Sequence, residues 1–276
     1  MLSVNLSLVL MKYLKYPLLF ALSTFLWVGC DSDDDVNENV CEPTETMGSL
    51  RVNIAGMVNG SNLDLGTEYT LSDGNRLRID RLKYYLSDIR LVRTDGSETM
   101  IKDVILVDYD LTPSGNPAIP NWTNEFVVDA PTGEYTGIKF DLGVRQDLNE
   151  SDPATYGSDH PLSASTENMY WSWATMYKFV VLEGKADVGS GSFDESVVFH
   201  TGTNNLYRQI NTISQAVVIS ENQQTDFDVS LDIEALFDGP GGQIDLSVSP
   251  VSHTGSGASF TLAETFTNNM VVAFGN

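Results

Sequence analysis

The sequence predicts an all-β fold, an antiparallel sandwich of roughly nine or ten strands with short helical segments near the C-terminus. Three observations carry that expectation. From Ser49 onward, short runs place apolar residues on alternate positions, the period of a half-buried strand. Gly, Pro, Asn and Asp cluster between the runs, where turns need them. No long helical period intervenes, so a parallel sheet built from strand–helix–strand units is disfavoured.

The elements follow in order. "SLRVNIAGMV" (49–58) alternates cleanly and ends in the turn signature "NGS". "LRIDRLKYYLSDIRLV" (77–92) is rich in β-branched and aromatic residues and leads into the tight turn "TDGSE". Further strands are expected at "DVILVDYD" (103–110), "NEFVVDA" (124–130), "YTGIKFDLGV" (135–144), "MYWSWATMYKFVVLEGK" (169–185), "SVVFHTG" (196–202), "QAVVIS" (215–220), "DFDVSLDI" (226–233) and "QIDLSVS" (243–249). Only "IEALF" (233–237) and "TLAETFTNNMVVAF" (261–274) read as helix. The proline-bearing segments "LTPSGNPAIPNW" (111–122) and "NESDPATYGSDHPLSAST" (149–166) are both flanked by strands, so neither reads as a linker. Residues 48–276 are therefore expected to form a single domain. The second segment is a long loop of the kind that carries binding groups on sandwiches.

The N-terminus reads as a processing segment. "MKYLKYPLLFALSTFLWVGC" (11–30) sets Lys12 and Lys15 ahead of an apolar stretch too short to span a membrane, then Gly29 and Cys30. It resembles a bacterial lipoprotein signal, with residues 1–29 removed and Cys30 as the lipidated first residue. Trp27 departs from the usual aliphatic residue before the cleavage site. The acidic stretch from Cys30 to Met47 has no apolar period and reads as a flexible tether, similar to the surface-export signals of some lipoproteins. The expected location is the bacterial outer membrane or cell surface, held by the lipid anchor. Cys41 is then left without an intrachain partner.

Acids outnumber bases 38 to 15, a net charge of -23. Such a chain repels phosphate backbones, which excludes nucleic acid as a partner, and concentrates cations near its surface. Solubility alone would also account for the charge.

The stretch 169–179, "MYWSWATMYKF", is the densest in chemistry. Extended as one strand, it places Trp171, Trp173, Tyr177 and Phe179 on a common face. Filling the space between two sheets and lining a site are both open to that face. The chain's three histidines each stand at the end of an element: His160 in the long loop, His200 at the end of an apolar strand, His253 in a Ser- and Gly-rich loop. Their separations match no local metal motif, so only the fold can bring them together. Imidazole donors with few thiolates suit Cu(II), Zn(II) or Ni(II), and Met169 or Met176 nearby would add the softness that favours Cu(I).

These residues carry a resemblance. "KYYLSDIRLV" (83–92), "DHPLS" (159–163), "MYWSWATMYKFVVLEG" (169–184), "FHTG" (199–202) and the C-terminal "VSHTGSG" with "NNM" are similar to the MbnP-like copper-binding family. Those periplasmic or surface proteins are named for their association with methanobactin, a copper-chelating peptide. The resemblance implies a β-rich domain that binds one copper ion through His160, His200 and His253. It also implies a di-haem, cytochrome-c-peroxidase-like partner, associated in relatives with oxidising a tryptophan to kynurenine near the metal. Which of Trp122, Trp171 and Trp173 would correspond is left open, and Met176 stands where a small Gly is expected. Asp159 and Glu183 are candidate acceptors for an imidazole N–H, or else a plain loop acid and a turn residue.

Two other classes compete. A structural or adhesive surface module would use acidic loops such as "DLNESDP" (147–153) for calcium or for nothing, though the spacing fits no EF-hand. An enzyme is disfavoured, because the chain lacks a GxSxG element, a phosphate-cradling loop and a thiol nucleophile in the folded region.

Overall fold

The structure is a computed structural model that describes residues 45–110, 124–166, 169–171 and 176–276. They belong to one compact unit, Thr44–Asn276. The expected signal peptide, most of the expected tether, Cys30, Cys41, Trp122 and Trp173 lie outside the described residues.

Alternating polarity does what it predicts in β1 (Met47–Val58), whose residues are buried at every second position, with Leu50, Val52 and Ile54 facing inward. β2 (Arg76–Arg93) is the longest strand, and β3 (Glu98–Asp110) returns antiparallel beside it from the tight turn at Gly96. After β4 (Glu125–Pro131) and β5 (Gly133–Leu142), a loop layer leads to β6 (Tyr170–Trp171) and β7 (Met176–Asp187). β8 (Glu195–Gly202), β9 (Ile213–Ile219) and β10 (Gln224–Asp232) complete the long strands. The chain ends with the short β11 (Val251–Ser252), the helix α1 (Ala258–Ala273) and β12 (Phe274–Gly275).

Two sheets enclose the main core. In the smaller, β10 lies between β12 and β1, and β4 pairs with β1 on its far side. In the larger, the order runs β5, β2, β7, β8, β11, with β3 on the opposite edge of β2 from β7 and β5. Leu50, Phe227 and Val229 of one sheet meet Leu82, Val180 and Phe199 of the other, all buried. α1 adds Phe266, which stacks on Phe199 at 4.6 Å between ring centroids and 16° between planes. Each such ring contributes about 1.5–3 kcal/mol by leaving water.

The long loop forms a third layer. Its residues cover the outer face of the larger sheet around a second apolar cluster that includes Tyr85, Leu162, Met169, Tyr177 and Phe179. The Tyr85 hydroxyl donates to the Pro161 carbonyl (2.9 Å) and the Tyr177 hydroxyl to that of Leu162 (2.6 Å). These bonds pin the loop by its backbone.

Three expectations need correction. The sandwich is not wholly antiparallel, because β1 runs parallel to β10 and β8 parallel to β11. "QIDLSVS" is not a strand: the Asp245 carboxylate accepts from both the N–H and the hydroxyl of Ser247, which turns the chain. The aromatic stretch is not one strand either. Tyr170 pairs with Tyr177 and Trp171 with Met176, so the chain reverses between them and Trp171 does not share a strand face with Tyr177 and Phe179. Met176 has φ +64°, a left-handed conformation that suits glycine, which explains why a Gly is expected there.

Candidate metal centre

β8 and β11 build the centre. Val198 is aligned with Val251 and Phe199 with Ser252, in parallel register, so His200 and His253 come next on adjacent strands. The sequence carries this alignment openly: "VFHTG" (198–202) and "VSHTG" (251–255) are the same pentapeptide with one residue changed. Phe199 points into the main core and His200 to the outer face, as strand alternation requires. The Thr254 hydroxyl donates to the His200 carbonyl (2.9 Å), and the Val198 N–H donates to the Pro250 carbonyl (2.9 Å). The backbone is thus tied on both sides of the pair.

The imidazoles face each other with Nδ1 to Nδ1 at 3.2 Å. His200 is buried, 8 % exposed, while His253 is exposed beside an open depression that Thr203, Asn205 and Phe260 also line. Behind His200, Nε2 lies 2.8 Å from Glu183 Oε1, and Arg81 donates to Glu183 Oε2 at 2.8 Å. A carboxylate only accepts, so the neutral His200 ring carries its proton on Nε2 and presents a lone pair at Nδ1. His253 donates into that lone pair from its own Nδ1. The hydrogen bond from His200, with Arg81 assisting, holds the Glu183 carboxyl below the ordinary glutamate range. Burial, then His200 and Lys178, push the His253 imidazole below its ordinary value, which favours the neutral ring that a metal requires.

Trp171 closes the centre, with its ring centroid 5.5 Å from that of His200 and 6.0 Å from that of His253. Three of the six non-glycine residues with positive φ among the described residues flank these groups: Met176 opposite Trp171, Thr203 after the His200 strand, and Thr254 after His253. For a β-branched residue such as Thr203, at φ +91°, that conformation costs about 1–3 kcal/mol, and strain of this kind gathers at functional sites. Asn149, 2 % exposed, ties the neighbourhood together: its side-chain carbonyl accepts from the Tyr177 N–H and its amide donates to Asn204.

Of the three expected histidines, His160 lies apart from the facing pair. It stacks on Tyr156 at 4.2 Å and 13°, and its Nδ1 accepts from the Leu162 N–H. Burial and then Lys102, opposed by Asp103, lower its pKa, which puts it against β3. β3 lies three strands from β8, roughly 14 Å at the usual strand spacing. The bonds that pin Pro161 and Leu162 fix it there. Among the described residues, no group of three or more His, Cys, Asp or Glu is placed to hold one ion.

The other expected residues are dispersed. Met169 is fully buried in the second apolar cluster, and Met176 is partly exposed with its sulfur 3.6 Å from the Tyr170 hydroxyl. Asp159 is an exposed loop acid bonded to Ser158. In the acidic loop, Asp147 pairs with Arg145, and Asp152 accepts from the Ala154 N–H. Lys178 and Arg81 were not anticipated; a cation on a strand beside an aromatic run was the available signal.

Residues 47–255 match the family model described as MbnP. Among solved structures the chain is similar to MbnP from Methylosinus trichosporium, at 20% identity over 70% of this chain and 78% of that one, with a TM-score of 0.49. No curated protein matches the chain.

Proposed function

We propose, from the premise that this chain belongs to the MbnP family, that it is a copper-binding protein of the bacterial cell envelope which holds one ion between His200 and His253. The observation that carries the reading is the facing pair of Nδ1 atoms, one of them backed by Glu183. Two neutral imidazoles without thiolate suit copper. The spacing suits chelation: two metal–nitrogen bonds of about 2 Å at a tetrahedral angle would span about 3.3 Å, against the 3.2 Å between the two Nδ1 atoms.

The division of labour follows from the hydrogen bonds. Glu183, itself held by Arg81, fixes the tautomer and orientation of His200. His253 gives up the proton on Nδ1 and carries one on Nε2, toward solvent. Trp171 packs against both rings. The ion is cargo to be captured, stored or passed on, and the residues are arranged for binding rather than catalysis.

Cys30 would carry the lipid anchor at the outer membrane or cell surface, residues 30–47 would serve as the tether, and residues 48–276 as the binding domain. A di-haem, cytochrome-c-peroxidase-like protein is the proposed partner, and Trp171 is the described indole that such an oxidant would meet beside the metal. The test is metal analysis of purified protein loaded with copper. One ion per chain, lost in His200→Ala and His253→Ala and kept in His160→Ala, supports the reading; equal loss or equal retention in all three overturns it.

A further inference from the structure

The depression beside His253 has a volume of about 610 Å³, within the range of pockets that hold small organic molecules, roughly 300–1,000 Å³. His253 forms part of its wall, while His200 is 8 % exposed and held from behind by Glu183 at 2.8 Å. A molecule seated there reaches one imidazole of the pair before the other. Phe260, Thr203, Asn205 and Ser256 make up the wall with backbone between them, and apart from His253 none of its residues ionises. In a chain where acids outnumber bases 38 to 15, that neutrality is local. A chelator with carboxylate or other electron-rich donors meets no carboxylate on the wall to repel it. The two threonines of the wall, Thr203 and Thr254, have φ of +91° and +63°, a conformation costly for β-branched residues that gathers where ligands are gripped.

We propose that copper enters and leaves this centre by ligand exchange at His253, with a small organic chelator seated in the depression and bound to the ion before that imidazole releases it. The inference rests on the reading that His200 and His253 hold copper, and adds the class of molecule that brings and removes the ion. A seated chelator replaces each bond as it breaks, which spares the ion a state short of donors. One copper–nitrogen bond to His253 breaks as one bond to the chelator forms, with no change in oxidation state. The freed His253 takes a proton from water at Nδ1 and gives one up from Nε2, which restores its hydrogen bond to His200. His200, with Glu183 behind it, keeps the ion until a second donor of the chelator arrives.

The test loads the full chain with Cu(I) under ascorbate, measures its copper content, and mixes it in stopped flow with excess bathocuproine disulfonate, a planar chelator whose Cu(I) complex is coloured. The transfer rate is expected to rise with chelator concentration. Asn205→Trp and Ser256→Trp each fill the depression from an exposed position and are expected to slow that transfer about tenfold. Cyanide, small enough to pass the added ring, should remove copper from them at the parent rate. Circular dichroism checks the fold of each variant, and two variants guard against one failing to fold. A parent rate independent of chelator concentration overturns the proposal, as does transfer at the parent rate in both tryptophan variants. A parent chain that takes up no copper overturns the reading of the His200 and His253 pair itself, so the two failures are told apart by the copper content measured first.

Discussion

The end of β8 and the loop at 157–163 each carry a histidine, in surroundings that differ in kind. His200 is buried with a carboxylate on one nitrogen and a second imidazole on the other. His160 lies flat on Tyr156, with its Nδ1 occupied by a backbone N–H two residues on. The first arrangement leaves a lone pair aimed at another donor and a charge in reserve behind it. The second uses the ring as apolar surface and as a local turn cap. Residue type, loop position and even family resemblance do not separate the two; the partners of each nitrogen do.

The sharpest way to break this contrast is His200→Ala, which is expected to weaken copper binding more than about 100-fold in a chelator competition, since a primary donor outweighs the supporting contacts. Phe199→Ala tests whether the strand holding His200 is anchored by the core: loss of the Phe266 stack is expected to cost about 3–5 kcal/mol in urea unfolding. Glu183→Gln keeps the shape and removes the charge behind His200, so copper affinity should fall about tenfold with little change in fold. The same carboxylate shapes the acid response of metal-free protein. Its pKa is depressed in the folded state, so its contribution is present above the unfolded value of about 4.3 and is lost as pH falls through the lower folded value. Stability measured between about pH 5 and 3 should fall less steeply in Glu183→Gln than in the parent chain. His160→Ala should change least: copper affinity unaltered, and stability lower by about 1 kcal/mol from the lost ring stack. A fall in affinity there would restore the three-histidine set and erase the contrast.

Much of the framework was legible because period-2 patterning has a single physical reading. β1 alternates in burial as it alternates in sequence, and the helix at the C-terminus falls where its apolar spacing placed it. The aromatic stretch was misread because alternation cannot announce a reversal, and the residue type at Met176 does not advertise the left-handed backbone with which the returning strand begins. His200 and His253 were named, but their meeting depended on strand order, which residues 53 positions apart do not declare. The twin pentapeptides were the overlooked clue. Lys178 and Arg81 were missed because a charged residue in a strand is ordinary until its neighbours are known.

The parallel pairing of β8 with β11 has a consequence of its own. The two imidazoles meet because the chain keeps count, with equal steps from Val198 and from Val251 arriving at the same rung. One residue inserted between Pro250 and His253 would swing the second ring to the opposite side of its strand, with no side chain in the protein altered. The meeting of the rings is therefore written in spacing as much as in chemistry, and a segment too short to hold a core decides it.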